Sequence, residues 1–267
     1  MQNILVMGGD KRQILLTRRL NELGYNAVYY DKEQPGIAFD TLILPYPAAK
    51  DGVTLNAPLS KENILLNDIY KYVRPGGKIL GGNLPKDFCN NPNFIFTDYA
   101  KDEILLYKNA VLTAQAALCL IMNETQKPLS NSKITVVGLG RIGGLLSEYL
   151  LPLGADVTVV TGNSKKLAYC KAKGIRAVNT KNIGGILGES DVIVNTSPNS
   201  LFCGGVLTQI KKDAVYFELA SAPYGIDFAA AEKCGIKTVK GFGLPGRYFS
   251  ISACECILES ILKHLGE

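Results

Sequence analysis

Lys133-Ile134-Thr135-Val136-Val137-Gly138-Leu139-Gly140-Arg141-Ile142-Gly143 decides how this chain is read. After Lys133, residues 134–137 are all β-branched and mostly apolar, which suits a buried strand. They run directly into G-x-G-x-x-G, and residues 141–152 then carry helical spacing. In that context Gly138 permits the turn and Gly140 lets the backbone approach a pyrophosphate. Gly143 lets the helix pack closely on the strand, and Arg141 and Ile142 form the first helical turn between the glycines. The helix N-terminus adds N–H donors and a dipole that favours phosphate. A dinucleotide site is therefore expected at Gly138, Gly140, Arg141, Ile142 and Gly143.

A second strand, 156–160, ends at Thr161-Gly162-Asn163-Ser164-Lys165-Lys166. An NAD domain normally places Asp or Glu at this point to accept from the ribose 2′-OH. No carboxylate stands here. Thr161, Asn163, Ser164 and Lys165 offer hydroxyls, an amide and a cation, which suit a 2′-phosphate that a carboxylate would repel. NADP(H) is the expected cofactor, with Lys166 also readable as a solvated helix start. Further on, Asn195-Thr196-Ser197-Pro198 and Leu219-Ala220-Ser221-Ala222-Pro223 close two more strands. Ligands of open α/β sheets sit beyond the carboxyl ends of strands, so Thr196, Ser197, Pro198 and Ala220 are expected to line the dinucleotide groove. Plain β–α turns also favour Ser and Pro, and that reading stays open.

The same alternation extends over the whole chain. Strands are expected at 4–7, 27–30, 41–44, 78–81 and 94–97, with helices at 11–23, 60–73 and 101–123. After a Lys-Pro-Leu-Ser-Asn-Ser linker (127–132), strands follow at 133–137, 156–160, 176–178, 191–195, 214–219 and 236–239, with helices at 141–152, 164–173, 226–233 and 250–265. Strands separated by helices of this length imply parallel βαβ units. The expected fold is α/β: two doubly wound parallel-sheet (Rossmann-like) domains joined by a long helix. Residues 1–124 form an N-terminal substrate domain and 125–249 the NADP-binding domain.

Composition narrows the chemistry. The chain has 267 residues, 47% hydrophobic and 20% charged, as expected of an ordinary globular protein. Lys+Arg 29 against Asp+Glu 24 gives +5, spread along the chain, which suits anionic ligands and no nucleic-acid stripe. There is one histidine, His264, and no tryptophan. Ser-His-Asp and Cys-His catalysis, multi-imidazole zinc sites and a histidine general acid are disfavoured, and no metal is expected. His264 reads as surface decoration at a helix end. The seven cysteines contain no C-x-x-C and read as small hydrophobes in a reducing compartment. Residues 1–13 do not read as a signal peptide, and the apolar stretch 110–122 is too short to span a bilayer. A cytoplasmic, membrane-free protein is expected.

The first strand opens into Gly8-Gly9-Asp10-Lys11-Arg12, a glycine turn whose spacing is not that of a second dinucleotide motif. It reads as an anion site with Arg12 gripping a substrate carboxylate, or as Asp10 capping a helix with Arg12 exposed. Gly241-Phe242-Gly243-Leu244-Pro245-Gly246-Arg247-Tyr248 reads as a glycine-rich loop ending in a cation and a phenol. Leu44-Pro45-Tyr46-Pro47 is expected to face the same cleft. The Gly8–Arg12 opening, the Asn109-Ala110-x-x-Thr113-Ala114 helix, the Gly138–Gly143 turn and the Gly243–Arg247 loop occur in order. Together they resemble the A subunits of dipicolinate synthase over nearly the whole chain.

The resemblance implies formation of dipicolinate from a dihydrodipicolinate-level intermediate of lysine biosynthesis, in sporulation, in partnership with a flavoprotein-like B subunit of dipicolinate synthase. It implies a return of the last helix, 250–267, to the first domain, although that helix also suits a dimer seam, and a homo-oligomer is expected. Asn109 and Thr113 would reach the cleft. A cyclic imine dicarboxylate needs two grips, for which Arg12 and Arg247 stand after glycine turns. Loss of a proton on aromatisation needs only a modest base, Tyr248 or water held by Ser221. Two alternatives remain: a dehydrogenase for another small acid, of the hydroxy acid or methylene-tetrahydrofolate type, and a non-catalytic NADP-binding regulatory subunit.

Overall fold

The computed structural model describes residues 2–30 and 38–266, which form two compact units, Met1–Asn109 with Pro245–Glu267, and Ala110–Leu244. In the first unit β1 (Asn3–Val6) leads into helix α1 (Lys11–Glu22), followed by β2 (Asn26–Tyr29), β3 (Phe39–Ile43), β4 (Val73–Gly81) and β5 (Ile95–Asp98). All pairings are parallel, in the order β2-β1-β3-β4-β5. Side chains along β1 alternate between two cores, as the two-residue period of a strand requires. Ile4 and Val6 enter one with Leu16 and Leu20 of α1, while Leu5 and Met7 enter the other with Leu42, Ile69 and Ile79.

Two elements of this unit differ from the sequence expectation. The helix expected over 60–73 is a 3-10 turn at Leu66–Tyr72. Its buried residues Leu66, Ile69 and Tyr72 recur every third position, the period of a 3-10 helix rather than of an α-helix. Strand β4 begins at Val73, not after Pro75-Gly76-Gly77, and carries those residues as an irregularity between the Phe39–Val73 and Thr41–Lys78 pairs.

Helix α2 (Glu103–Glu124) contains neither glycine nor proline, and the division between the units falls inside it, at Asn109/Ala110, where the sequence reading places a boundary near 125. Its 22 residues are long and apolar enough to cross a bilayer by length and composition alone, unlike the shorter run read from the sequence. Ala110, Ala114, Ala116, Ala117, Leu120 and Ile121 are nonetheless buried within the protein, as in the core helix of a soluble fold.

The second unit contains β6 (Lys133–Val137), α3 (Arg141–Leu150), β7 (Asp156–Val160), α4 (Ser164–Ala172), β8 (Arg176–Val178), α5 (Gly184–Leu187), β9 (Val192–Asn195), β10 (Val215–Glu218), α6 (Phe228–Lys233) and β11 (Lys237–Lys240). Its six parallel strands run β11-β10-β9-β6-β7-β8. The chain winds outward from β6 to one edge, then returns to β9 and winds to the other. The crevice between β6 and β9 is the topological switch point, where such sheets bind ligands.

The chain then returns to the first unit through α7 (Leu244–Tyr248) and α8 (Ser250–Leu265). Cys254, Ile257, Leu258 and Ile261 of α8 join the α1 core, while Cys256 is half-buried. Arg19 of α1 bonds Glu255 at 2.7 Å, and Asp102 accepts from Ser260 at 2.9 Å and from Lys263 at 2.5 Å. His264 is half-buried, and its carbonyl accepts from Lys78. All seven cysteines are free thiols. Replacing Ile261 by Ala should cost about 2–5 kcal/mol in urea unfolding. An unchanged midpoint would show that α8 does not complete this core.

Candidate functional site

The glycine turn after β6 is built by contacts that exclude side chains. Gly138 has φ +93, and a Cβ there would lie 2.7 Å from the Thr196 hydroxyl oxygen. A Cβ on Gly143 would lie 2.0 Å from the carbonyl oxygen of Gly138, so α3 touches the turn backbone to backbone. Gly140 is the N-cap of α3, offers no side-chain hydrogen bond to its amides, and would meet nothing within 4 Å if it carried a Cβ. A cradle open at Gly140 and closed at Gly138 and Gly143 fits a pyrophosphate on the helix N-terminus. Arg141 is exposed and Ile142 half-buried on the first turn of α3.

Each remaining cofactor candidate has a definite place. Thr161 is buried, and its hydroxyl oxygen accepts from the Asn163 amide at 3.3 Å. Asn163 caps α4, its carboxamide oxygen accepting from the amides of Lys165 and Lys166 at 3.0 and 3.2 Å. Ser164 and Lys165 are exposed on the first turn of α4, just beyond β7. Thr196 donates to the carbonyls of Val137 and Gly138 at 2.9 and 3.2 Å, so its hydroxyl fastens the turn. Ser197 is half-buried, Pro198 and Ser221 are exposed, and Ala220 is buried. Thr113 is buried on α2, within the second unit.

In the first unit, Gly8 and Gly9 have φ +75 and +71, which only glycine adopts without strain. Asp10 takes the capping role that one of the two sequence readings gave it. It caps α1, accepting from the Arg12 amide at 3.0 Å, and its carboxylate takes the Arg12 Nε and Nη2 at 2.8 and 3.0 Å. Arg12 is 8% exposed, so the reading of Asp10 as a cap with an exposed Arg12 is corrected. Burial raises the Asp10 pKa, but the Arg12 hydrogen bonds and charge outweigh it and hold the carboxyl below its ordinary value. Gln13 is fully buried under Gly9, and its carboxamide has no hydrogen-bond partner among the described residues.

The stretch 241–248, read as a glycine-rich loop, contains the one-turn helix α7, with Leu244, Pro245 and Gly246 buried. A Cβ on Gly246 would lie 2.4 Å from the Asp10 carboxylate and 3.0 Å from Arg12 Nε, so only glycine lets α7 approach this pair. The structure thus brings the Gly8–Arg12 and Gly243–Arg247 motifs together. Arg247 is exposed with its guanidinium 5.9 Å from the ring centre of half-buried Tyr248. Tyr46 packs over Gly82, where a Cβ would lie 2.7 Å from its ring.

Two residues of the second unit, Tyr224 and Glu218, escaped the sequence reading. Tyr224 takes a left-handed backbone and stacks on Phe242 at 5.0 Å, beside the Ser221–Pro223 loop. Glu218, the last residue of β10, is completely buried. A carboxylate inside an apolar strand, Val215-Tyr216-Phe217-Glu218, was the available signal. No group of three His, Cys, Asp or Glu side chains suited to a metal occurs among the described residues.

This fold, with a glycine cradle at the switch point of a parallel sheet, defines an oxidoreductase dependent on NAD(P). Residues 115–222 match the family described as D-isomer specific 2-hydroxyacid dehydrogenase, NAD binding domain. Residues 3–100 match the N-terminal domain of the dipicolinate synthase A subunit. The chain is 26% identical to the A subunit of dipicolinate synthase from Bacillus subtilis (strain 168), covering 99% of this chain and 96% of that one. The crystal structure of the dipicolinate synthase A subunit from Bacillus halodurans superposes with a TM-score of 0.85 at 23% identity, covering 100% of this chain and 98% of that one. The crystal structure of its B. subtilis counterpart gives 0.82 at 25% identity, covering 99% and 96%. The resemblance to the dipicolinate synthase A family read from the four motifs is borne out, as is the two-sheet Rossmann-like fold.

Two glycine substitutions separate folding from binding. Gly143→Ala should lower stability by about 1–3 kcal/mol and remove dinucleotide binding, whereas Gly140→Ala should melt like the parent and bind more weakly. A Gly143→Ala protein as stable as the parent would contradict the contact.

Proposed function

We propose that this chain is an NADP-dependent oxidoreductase of the dipicolinate synthase A type, which forms dipicolinate from a dihydrodipicolinate-level intermediate of lysine biosynthesis. The observation that carries the substrate reading is the meeting of the Gly8–Arg12 and Gly243–Arg247 motifs at Gly246, inside a unit matching the dipicolinate synthase A N-terminal domain. The cytoplasm, sporulation and partnership with a flavoprotein-like B subunit follow from the same likeness.

A nicotinamide held at the glycine turn would supply the hydride acceptor. The amides at the start of α3 and the glycines at 138, 140 and 143 hold the pyrophosphate. Ser164 and Lys165, with Asn163 and no carboxylate at the end of β7, favour a 2′-phosphate and hence NADP over NAD. Arg12 has five N–H donors, of which Asp10 occupies two side-chain positions, leaving donors for one substrate carboxylate. Arg247 takes the other. Aromatisation releases a proton whose loss the product favours, and Tyr248 or water held by Ser221 receives it. A hydroxy acid dehydrogenase would need a stronger acid, and the one histidine lies on the last turn of α8.

Titration of the protein with NADPH and NADH tests the cofactor assignment. NADPH should bind at least about tenfold more tightly, and Lys165→Glu should abolish the preference. Equal affinities in both proteins would overturn it. Arg12→Ala and Arg247→Ala should each raise the KM for the dicarboxylate about tenfold or more, through loss of a charge-assisted hydrogen bond. An unchanged KM in either removes that residue from the substrate grip.

A further inference from the structure

The mechanism above leaves unused a carboxylate buried at the carboxyl end of β10. Glu218 is 0% exposed, and no cation pairs with it among the described residues. Burying such a group costs several kcal/mol unless its lone pairs are satisfied. Here they are, by neutral donors only. Oε1 accepts from Asn195 Nδ2 at 2.8 Å and from the Ala220 amide at 3.0 Å. Oε2 accepts from the Gly225 amide at 3.0 Å and from the Tyr216 hydroxyl at 3.1 Å.

These donors come from segments with a common address. Asn195 ends β9, and its carboxamide also holds Ser197, donating to the Ser197 carbonyl at 2.8 Å and accepting from the Ser197 amide at 3.2 Å. Ala220 and Gly225 are the two ends of the loop that carries Ser221. A Cβ on Gly225 would lie 2.1 Å from Asn195 Nδ2, so glycine is required for the carboxamide to lie there. One carboxylate therefore fixes both the loop that follows β9 and the loop that follows β10. An apolar side chain would fill the strand position more cheaply but would bond neither loop.

We propose that Glu218 is a positioning residue that sets the 195–198 and 219–225 loops for the dinucleotide. This rests on the reading that these loops line the cofactor site. A single carboxylate accepts from four donors only when ionised. Burial raises the Glu218 pKa, and the hydrogen bonds from Asn195, Ala220, Gly225 and Tyr216 oppose that rise without cancelling it. Tyr216 is the titratable group in contact with it. Lys240, paired with Glu218 along β11, directs its ammonium over the Phe228 ring at 4.7 Å. As pH falls through the raised pKa, protonation removes acceptor capacity, the loops loosen and cofactor affinity drops.

The test uses the full chain, with NADPH and NADH binding followed by fluorescence and unfolding by thermal melts, from about pH 5 to about pH 9. Glu218→Gln keeps the shape but turns an amide group toward a donor, and should weaken binding at least about tenfold at the alkaline end. Wild-type affinity should also fall faster toward acid than that of E218Q, a difference that a purely structural role would not produce. Tyr216→Phe removes one donor, so the Glu218 pKa rises further and the acid loss of affinity should begin at higher pH. Y216F decides the matter alone if E218Q does not fold. Parental affinity and pH dependence in E218Q, or an unmoved acid limb in Y216F, would overturn the role of Glu218. A wild-type chain that binds neither nucleotide would overturn the cofactor reading itself.

Discussion

No side chain fits at Gly143, because its α-carbon rests against the carbonyl of Gly138. That contact fixes how α3 leaves β6, and the rest of the second unit is arranged around it. The Thr196 hydroxyl closes the same turn from β9 by bonding the carbonyls of Val137 and Gly138. The turn, the first amides of α3 and the end of β9 are thus one rigid object at the point where the strand order reverses. An anion bound there would need no charged side chain, since helix amides and dipole would supply the attraction.

The first unit uses the same logic with different chemistry. Its sheet also reverses between β1 and β3, and Gly8-Gly9 follows β1 at that point. The turn there ends in an ion pair instead of an open cradle. Asp10 is both helix cap and counter-ion, and the approach of Gly246 encloses the pair. The net +5 charge thus matters less than the placement of particular cations. Arg12 is held rigid by a carboxylate, whereas Arg247 and Lys165 are exposed. A guanidinium already held in one geometry loses little entropy on meeting a planar carboxylate.

Much of this was legible in the sequence because the signals were local. Strand 133–137, the three glycines and the missing carboxylate after β7 lie within about thirty residues, the span of one βαβ unit. The Gly8-Gly9 turn was equally plain, and the long final helix announced itself by its spacing. What escaped depends on distant partners. The burial of Arg12 follows from Asp10 and from α7, more than two hundred residues away along the chain. The helix expected at 60–73 failed because three-residue spacing satisfies either helix type over so short a run. Glu218 has no local signal beyond its place in an apolar strand, and only the fold brings Asn195, Ala220 and Gly225 to it.

The central claim is that a nicotinamide bound by the second unit and a dicarboxylate bound by the first take part in one redox reaction. The most direct measurement mixes the purified chain with NADP and the dihydrodipicolinate-level acid, and follows reduced nicotinamide and dipicolinate in a single turnover. It is run with and without a flavoprotein-like B subunit. The account predicts that the two products appear together in a one-to-one ratio. Dipicolinate formed with no reduced nicotinamide, or no redox change in either mixture despite tight NADPH binding, would contradict it.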